Sequence, residues 1–267
     1  MNKRESILQL SPWHIDVDVG SGLRISSVLE KGSRTGENPV SLVDSEVHFK
    51  GMLNSVYSKG LEGRTFLDCA CNCGAYSYWA LQRGASYAYG FDAREHWIKQ
   101  ADFLKSCFPE YADSVRFEVR DVMSVHSELQ RNFDITMFGG IFYHLPLPVV
   151  ALKNISEVTD ELLYFNSATR WSPLGGMVTA NEDRSKMMNG VNSLNWYPTS
   201  PSVVMDILSY MGFVEFHVVF HNRLIKYNKQ RGMKTYIKGL LKLSGRFGLL
   251  ASKRQGLLSE VSYKWDA

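Results

Sequence analysis

The sequence contains little cysteine. Four cysteines occur in 267 residues, and three of them alternate within five positions, at Cys69, Cys71 and Cys73. That spacing is too close for an ordinary disulfide framework, and it is not the spacing of a zinc site. We therefore expect small buried thiols at these positions, no bound metal and a reducing compartment, so the expected location is cytoplasmic.

Long apolar runs are also missing. No stretch of about 18 apolar residues is present, and the opening MNKRESILQL lacks the order of charged, apolar and small residues that marks a secretory signal. These two features argue against membrane insertion and secretion. The hydrophobic fraction of 45% is nevertheless enough to fill a substantial core. We expect one large domain with additions.

Positive charge is concentrated near the C-terminus. Residues 223–267 contain eleven Lys or Arg and only two acids, Glu260 and Asp266, so this segment carries +9 while the whole chain carries +3. The rest of the chain is therefore mildly acidic. Such a tail can bind the phosphates of a nucleic acid. The alternative is a pair of amphipathic helices with solvated lysines.

The pattern of apolar runs predicts an α/β fold. Short apolar runs alternate with helical stretches from about residue 61 onward, as they do in βαβ units of a parallel sheet. Strands are predicted at about 64–70, 86–92, 115–120, 133–139, 160–166, 213–220 and 223–227. Helices are predicted at about 75–83, 93–107, 123–130 and 147–158, and in the segment SPSVVMDILSYMG.

Three segments flank or interrupt this pattern. Residues 1–60 show no sustained period and predict an N-terminal cap segment. Residues 61–228 predict the α/β domain, within which 168–199 is rich in Asn, Gly, Ser and Met and predicts a lid inserted after the fifth strand. Residues 229–267 predict a basic C-terminal helical segment.

Residues 64–101 carry the most informative pattern: a strand, a tight turn, a helix, a second strand and an acid. A ligand of an open parallel sheet binds beyond the carboxyl ends of the strands, so the turn and the acid are expected to lie side by side. Gly74 lets backbone pass close to a ligand, and Asp92 is placed for bidentate hydrogen bonding to a ribose. The pattern indicates a nucleoside cofactor.

The turn Asp68-Cys69-Ala70-Cys71-Asn72-Cys73-Gly74 resembles the D-x-G-x-G-x-G fingerprint of class I S-adenosylmethionine-dependent methyltransferases. Ala70 and Asn72 replace two glycines, but both are small and Asn tolerates left-handed backbone well. The dehydrogenase fingerprint G-x-G-x-x-G is absent. The resemblance implies a Rossmann-like fold with a mostly parallel seven-stranded sheet and helices on both faces. It also implies S-adenosylmethionine as cofactor and S-adenosylhomocysteine as product.

The same resemblance assigns the cofactor contacts. In the class I family the residue after the third strand contacts the adenine, which places Asp121 and Val122 there; the alternative for Asp121 is a helix N-cap. The implied cofactor-binding residues are Asp68, Ala70, Asn72, Gly74, Asp92, Ala93, Asp121, Val122 and Gly139.

A second resemblance follows the fourth strand. The run IFYHLPLP, residues 141–148, resembles the L-Y-H-x-x-x-P segment of the tRNA wobble-uridine carboxymethyltransferase family. WHIDVDVGSG is similar to that family's opening W-x-H-x-I-D-L-x-x-G, and NWYPTSPSVVMDILSYMGF to its W-x-P-T segment before a helix. Together these stretches cover about residues 13–220. Relatives with these motifs act on tRNA and on small molecules, so the acceptor stays open.

Two neighbouring residues of this run are the catalytic candidates. In that family the tyrosine matching Tyr143 lies at the reactive end of the cofactor, and basic residues hold the extra carboxylate of carboxy-S-adenosylmethionine. Arg231 and Arg34 are candidates for the basic partner, although no motif fixes either one. His144 can serve as a base because imidazole titrates near working pH; the alternative is a histidine that shapes the loop.

The substrate-binding candidates are aromatic or basic. Trp13 and His14 would enter from the cap, and Trp196 and Tyr197 from the end of the lid, since flat amphipathic rings can wall a pocket. Trp196 can equally be a core residue. Arg170 can hold an acidic group of the substrate or form a surface salt bridge.

Three functions are compatible with these patterns. The leading hypothesis is methyl transfer from S-adenosylmethionine to an oxygen or nitrogen of a small-molecule acceptor, and the absence of a long N-terminal extension favours this plain donor. A second is a tRNA wobble-uridine-type alkyltransferase that uses S-adenosylmethionine or carboxy-S-adenosylmethionine. A third is an inactive cofactor-binding partner subunit, suggested by the two replaced glycines at Ala70 and Asn72.

Overall fold

The computed structural model describes residues 2–29, 42–129, 131–186, 188–223 and 244–265. The α-helices are α1 (Lys3–Gln9), α2 (Ile25–Val28), α3 (Glu46–Val56), α4 (Ala75–Gln82), α5 (Glu95–Cys107), α6 (Val125–Glu128), α7 (Pro148–Glu157) and α8 (Pro201–Tyr210). The strands are β1 (Thr65–Cys69), β2 (Tyr87–Asp92), β3 (Val115–Val119), β4 (Phe133–Gly139), β5 (Thr159–Arg170), β6 (Met177–Asn181), β7 (Leu194–Pro198), β8 (Glu215–Arg223) and β9 (Ser244–Ser252). Short 3₁₀ helices lie at Pro109–Tyr111 and Phe142–His144.

The main sheet has seven strands in the order β3-β2-β1-β4-β5-β9-β8. β2 pairs in parallel with β1 and β3, whereas β9 runs antiparallel to both β5 and β8. This mostly parallel sheet confirms the predicted fold class. The first five predicted strands correspond to β1–β5, and the sixth corresponds to β8.

The chain divides into two compact units. Unit 1 comprises Met1–Met137 and Ser185–Met188, and unit 2 comprises Phe138–Arg184 and Asn189–Ala267. The predicted ends of the cap at residue 60 and of the α/β domain at residue 228 stay predictions. Among the residues the structure describes, no helix combines the length and the apolar character needed to cross a membrane.

In unit 1 the strands β1 and β2 are almost entirely buried. They are central strands, covered on both faces, which explains why their sequences are continuous apolar runs instead of alternating ones. The start of β1 is fixed to the start of β4 by a carboxylate: Asp134 Oδ2 accepts hydrogen bonds from Thr65 N at 2.7 Å and from Thr65 Oγ1 at 2.9 Å.

The N-terminal segment of unit 1 packs against α5 through its polar groups. The Gln100 side chain, on α5, donates from Nε2 to the carbonyl oxygens of Leu10 (2.6 Å) and Pro12 (2.9 Å). Trp13 is 1% exposed, and its Nε1 donates to the Ile7 carbonyl oxygen at 2.8 Å. Its ring thus lies in the core and its one polar atom is bonded, while a substrate contact of Trp13 stays a prediction.

The C-terminal part of unit 2 differs from the sequence prediction. Residues 229–267 were predicted to be helical, but Ser244–Ser252 form β9, nearly all buried. β9 pairs along both edges, with β5 and β8, and its stretch Phe247–Ser252 is buried. The apolar run FGLLA in this stretch is short, and periodicity does not distinguish such a run in a strand from one in a buried helix. Residues 229–243, and 224–227 of the predicted seventh strand, lie outside the described residues.

Two glycines let β9 fit between its neighbours. A Cβ atom at Gly248 would lie 2.5 Å from Phe220 Cε1 and 3.0 Å from the Tyr164 hydroxyl. A Cβ atom at Gly245 would lie 2.2 Å from the Asn222 carbonyl oxygen. Glycine within a strand commonly marks such close approach of neighbouring chains.

The insertion after β5 contains a small second sheet in which β6 and β7 pair antiparallel. The predicted lid, 168–199, thus begins within the last three residues of β5 and includes both strands of this hairpin. The segment between the strands closes on itself, because Glu182 N donates to the Ser193 carbonyl oxygen at 3.0 Å. A lid function for the hairpin stays a prediction.

Candidate functional site

The fingerprint turn of unit 1 keeps the backbone conformation of a glycine-rich loop. Ala70 has φ 55°, Asn72 has φ 52° and Gly74 has φ 76°, so all three alternating positions are left-handed. This conformation costs a residue with a Cβ atom roughly 1–2 kcal/mol, less for Asn. Ala70 and Asn72, which stand where the fingerprint has glycine, therefore adopt the left-handed backbone that glycine would adopt.

Asp92, at the end of β2, holds this turn in place. Its Oδ2 accepts the backbone N–H of Asn72 at 3.2 Å and its Oδ1 accepts that of Arg94 at 3.0 Å. The backbone N–H of Cys71 also bonds to the Phe91 carbonyl oxygen at 2.9 Å. The turn and Asp92, which the sequence predicts to lie side by side, are therefore joined by a direct hydrogen bond.

The Asp92 carboxylate is 8% exposed, and burial raises its pKa above the ordinary value. Backbone hydrogen bonds from Arg94, Asn72 and Ala93 and the charge of Arg94 act in the opposite direction. A carboxylate offers about four acceptor positions, so after three backbone bonds it can still accept one from a hydroxyl. Hydrogen bonding of Asp92 to a ribose stays a prediction.

Asp68, at the carboxyl end of β1, lies beneath the turn and has a different environment. Its Oδ2 accepts a hydrogen bond from Ser77 Oγ, in the first turn of α4, at 3.0 Å. Burial raises the pKa of Asp68 to about 7; hydrogen bonds from Ser77 lower it, and the charge of Asp92 raises it. Asp68 thus ties β1 to α4 and is a buried acid that titrates near neutral pH.

The ring of Phe117, on β3, packs against the turn where two glycines leave room for it. A Cβ atom at Gly74 would lie 2.5 Å from Phe117 Cζ. A Cβ atom at Gly90 would lie 2.7 Å from Phe117 Cδ1 and 3.0 Å from Cys71 Cβ. Gly74 is therefore required twice, for its left-handed backbone and for its lack of a side chain.

The three alternating cysteines are buried, as predicted. Burial raises the pKa of Cys69 and Cys71 well above the ordinary value and that of Cys73 to about 12. Thiols in this state are poor nucleophiles, so they act as small packing residues. Within the described ranges, no group of three or more His, Cys, Asp or Glu side chains is arranged to hold a metal ion.

The other cofactor candidates are placed as follows. Asp121 is exposed and caps a turn: its Oδ1 accepts the backbone N–H of Met123 at 2.9 Å and its carbonyl oxygen accepts that of Val125 at 2.9 Å. Val122 is buried, Ala93 is exposed, and Gly139 ends β4. The N-cap of α6 is Ser124, so the alternative of Asp121 as a helix N-cap is wrong, and its side chain closes the preceding turn instead. The cofactor contacts of these four residues stay predictions.

In unit 2 the catalytic candidates Tyr143 and His144 lie in the short 3₁₀ helix that follows β4. Its first residue, Phe142, is fully buried, with its ring edge against Phe165 at a centroid distance of 5.2 Å. The turn before it is fixed by Gly140, which has φ 76° and whose N–H donates to the Asn166 carbonyl oxygen at 2.9 Å.

Tyr143 belongs to a layered group of rings and guanidinium groups. Its ring stacks on Tyr197 with centroids 5.7 Å apart, and the Arg170 guanidinium lies 4.9 Å from the Tyr197 centroid. Arg246, on β9, donates from Nη1 to the Tyr143 hydroxyl at 3.5 Å and from Nη2 to Asn166 Oδ1 at 2.8 Å. Burial raises the pKa of Tyr143, while the charge and hydrogen bond of Arg246 lower it.

His144 contacts a carboxylate. Its Nδ1 lies 2.8 Å from Glu182 Oε1, which is carried by the segment between β6 and β7. This contact is compatible with either role predicted for His144, as a base or as a residue that shapes the loop.

The remaining substrate candidates are divided between the units. Arg170 and Tyr197 meet in unit 2, as described above. Trp196 directly precedes Tyr197 in sequence, and its Nε1 is buried without a hydrogen-bond partner among the described residues. In unit 1 His14 is half-buried, and its carbonyl oxygen accepts the backbone N–H of Val43 at 2.8 Å. Substrate contacts of these four residues stay predictions.

Sequence reasoning missed Arg246, Glu182, Asn166, Ser77 and Phe117. Arg246 was hidden because its segment was predicted to be helical, and Glu182 lies in an irregular insertion without a motif. The basic residues proposed instead, Arg34 and Arg231, lie outside the described residues.

No protein-family model matches the chain. Among curated proteins, the chain is 26% identical over 162 residues to the tRNA U34 carboxymethyltransferase of Helicobacter pylori strain G27, covering 60% of this chain and 59% of that protein. It is 25% identical over 218 residues to the same enzyme of strain HPAG1, covering 80% of this chain and 74% of that protein. The chain thus spans about three fifths of the first relative's length.

Two solved structures are similar to this chain in fold. The N-terminal domain of EvdMO1, solved with S-adenosylhomocysteine and D-fucose, has a TM-score of 0.66 and 14% identity, covering 94% of this chain and 95% of that one. Magnesium protoporphyrin IX methyltransferase of Synechocystis PCC 6803, with bound S-adenosylmethionine, has a TM-score of 0.50 and 15% identity, covering 78% and 79%. At these identities the likeness shows the fold, and it agrees with the predicted methyltransferase class.

Gly74→Ala is expected to lower the free energy of unfolding by about 2–4 kcal/mol, because the new Cβ atom adds left-handed strain to a clash with Phe117. Ala70→Gly, the matched control in the same turn, is expected to leave stability unchanged or raise it by up to about 1 kcal/mol. Urea unfolding of both variants measures this. Equal stabilities would contradict the assigned backbone conformations.

Asp68 is expected to make stability fall as pH rises. Its pKa is about 7 in the folded chain and 3.8 in the unfolded reference, so between these values the folded state holds the extra proton. Ionisation of the buried carboxyl then removes stability on the order of 3 kcal/mol between about pH 4 and pH 7. Urea unfolding at pH 5 and pH 8 should show Asp68→Asn gaining stability relative to the native chain at the higher pH. A difference that does not change with pH would refute this.

Proposed function

We propose that the chain is an S-adenosylmethionine-dependent methyltransferase. In this proposal it methylates an oxygen or nitrogen of a small-molecule acceptor and releases S-adenosylhomocysteine, without a metal ion. The observation that carries the proposal is the left-handed turn from Ala70 to Gly74, bonded to the buried Asp92 carboxylate. This arrangement supports a nucleoside cofactor, and the class I methyltransferase fold indicates which one.

Different residues of unit 1 would contact different parts of the cofactor. Asp92 would accept a ribose hydroxyl, and the turn from Ala70 to Gly74 would offer backbone at close range. Asp121 and Val122 would border the adenine, as the class I resemblance implies. When bound, S-adenosylmethionine supplies a methyl group made electrophilic by its sulfonium.

The residues of unit 2 would act on the acceptor. His144 would take the proton that leaves the acceptor oxygen or nitrogen, since a neutral imidazole is a suitable base near neutral pH. Tyr143 would border the reacting atoms. Tyr197 and Arg170 would present an aromatic face with an adjacent cation, which suits a flat or anionic acceptor.

Asp92→Asn is expected to weaken binding of S-adenosylhomocysteine about 10- to 100-fold, because one charged acceptor for the ribose and the turn is lost. Isothermal titration calorimetry gives the dissociation constants. Asp113→Asn, at an exposed position of unit 1, is the control and should bind like the native chain. Unchanged affinity in Asp92→Asn would contradict the proposed contact between Asp92 and the ribose. A native chain that binds neither this molecule nor S-adenosylmethionine would favour the inactive partner subunit instead.

The reaction itself is tested in two steps. Mass spectrometry of small molecules released by denaturing the purified chain should find S-adenosylmethionine or S-adenosylhomocysteine. Release of S-adenosylhomocysteine is then followed with panels of hydroxylated and amine-bearing small molecules, and with unmodified tRNA. Turnover with small molecules supports the proposal. Turnover with tRNA alone moves the tRNA alkyltransferase alternative ahead of it.

A second candidate is carboxymethyl transfer to tRNA. It is supported by the Arg246 guanidinium, which lies at the Tyr143 hydroxyl, where the family resemblance requires a basic partner for the donor's extra carboxylate. The basic residues between 223 and 267 would bind tRNA phosphates. The similarity to tRNA U34 carboxymethyltransferases also favours this reading.

Arg246 separates the two donors. If the donor is carboxy-S-adenosylmethionine, the native chain should bind it at least about tenfold more tightly than S-adenosylmethionine, and Arg246→Ala should abolish that preference. Arg254→Ala, which removes an exposed guanidinium paired with the buried Glu161 carboxylate, is the control and should keep the preference. Equal affinities of the native chain for both donors would eliminate the second candidate. Calorimetry with each donor measures this.

A further inference from the structure

The insertion between β6 and β7 brings a buried carboxylate to the proposed base. His144 Nδ1 lies 2.8 Å from Glu182 Oε1 and 2.9 Å from Oε2. The Glu182 side chain is 5% exposed and that of His144 is 15% exposed. A carboxylate removed from water to this extent requires strong hydrogen-bond donors.

Counting protons fixes how these groups are bonded. The backbone N–H of Gly190 has one hydrogen, and it lies 2.9 Å from Glu182 Oε2 and 3.1 Å from His144 Nδ1. An ionised carboxylate only accepts, so Nδ1 must carry a hydrogen to bond with it. If Nδ1 accepted from Gly190 instead, its lone pair would face the carboxylate oxygens at under 3 Å. The consistent assignment has both Nδ1–H and the Gly190 N–H donating to Glu182.

Gly190 makes this arrangement sterically possible. A Cβ atom at Gly190 would lie 2.6 Å from His144 Cβ, 2.9 Å from the His144 carbonyl oxygen and 3.0 Å from Glu182 Oε2. Its backbone can approach the imidazole only because it has no side chain. The segment is also braced internally, since Asn189 Nδ2 donates to the Asp183 carbonyl oxygen at 2.7 Å. Glu182 is thus held near His144 by the backbone N–H of Gly190, which approaches both side chains.

We infer that Glu182 is a positioning residue for His144: it holds the tautomer with Nδ1 protonated and thereby makes Nε2 the proton acceptor. This inference rests on the proposed methyl transfer. As the acceptor oxygen or nitrogen forms its bond to the methyl carbon, the bond from that carbon to the sulfonium sulfur would break, and its electron pair would leave with the sulfur as S-adenosylhomocysteine. The acceptor's bond to hydrogen breaks as well, and that electron pair stays on the acceptor. The proton moves to His144 Nε2. The resulting imidazolium is stabilised by the adjacent Glu182 carboxylate, as in other histidine–carboxylate pairs.

The tautomer is measured by long-range ¹H–¹⁵N NMR of the full chain labelled in histidine, with His144 assigned by its loss in His144→Gln. At a pH where His144 is neutral, the native chain should show Nδ1 protonated. Glu182→Ala should shift the population to the form with Nε2 protonated, whereas Glu182→Gln should retain the native form because its amide oxygen can still accept. A native chain with Nε2 protonated, or an unchanged tautomer in Glu182→Ala, would overturn the inference.

Two further variants separate this effect from misfolding. In Gly190→Ala the added Cβ atom would push His144 and Glu182 apart, so this variant should shift the tautomer of His144 as Glu182→Ala does. Glu157→Ala, which removes an exposed ion pair with Lys153, should leave the His144 signals unchanged. A shift in Glu157→Ala as large as that in Glu182→Ala would mean that Glu182 has no specific role.

Calorimetry with S-adenosylhomocysteine on the same samples distinguishes this inference from the proposed function. Glu182→Ala should keep the native affinity within about twofold, because Glu182 acts on His144 and not on the cofactor. A native chain without affinity for S-adenosylhomocysteine would defeat the proposed function while the NMR result still decides the Glu182–His144 pair. Native affinity with the wrong tautomer would defeat the inference alone.

Discussion

The hydrogen bond between the Asp92 carboxylate and the backbone of the fingerprint turn is the interaction on which the candidate cofactor site of unit 1 depends. A carboxylate that is 8% exposed needs donors; the turn supplies one from Asn72, and Arg94, the residue before α5, supplies another. These bonds in turn hold Ala70 and Asn72 in a left-handed conformation that neither would adopt freely. The fingerprint is therefore a pattern of backbone angles, and glycine is the residue that adopts these angles with the least strain.

The first half of the fold could be predicted from the sequence because its signals are local. β1, β2 and the helices that follow them are short apolar runs and helical stretches bounded by clear turns, and the turn from Asp68 to Gly74 carries a motif. The predicted neighbourhood of Asp92 and the turn follows from the rule for parallel sheets alone. Residue identity and spacing were sufficient here, since each feature depends on residues close in sequence.

The second half could not be predicted because its features depend on residues far apart in sequence. β9 is recognisable as a strand only through its pairing with β5, about eighty residues earlier, and Arg246 reaches Tyr143 only because of that pairing. Glu182 lies in an insertion without periodicity, so nothing local indicates that it contacts His144. The burial of Trp13 was not evident from the sequence either, because an aromatic residue near a motif can pack in the core or wall a pocket.

The position of β9 also constrains synthesis of the chain. β8 is the outermost strand and its neighbour in the sheet is β9, so it has no place in the sheet until β9 has been made. Until the ribosome has released Ser244–Ser252, β5 presents an open edge, with unpaired backbone groups along a largely buried sequence. Such an edge is a template for pairing with other nascent chains. Among the strands of the described residues, β9 is the last to emerge, and its pairing with β5 covers the edge that would otherwise invite aggregation during translation.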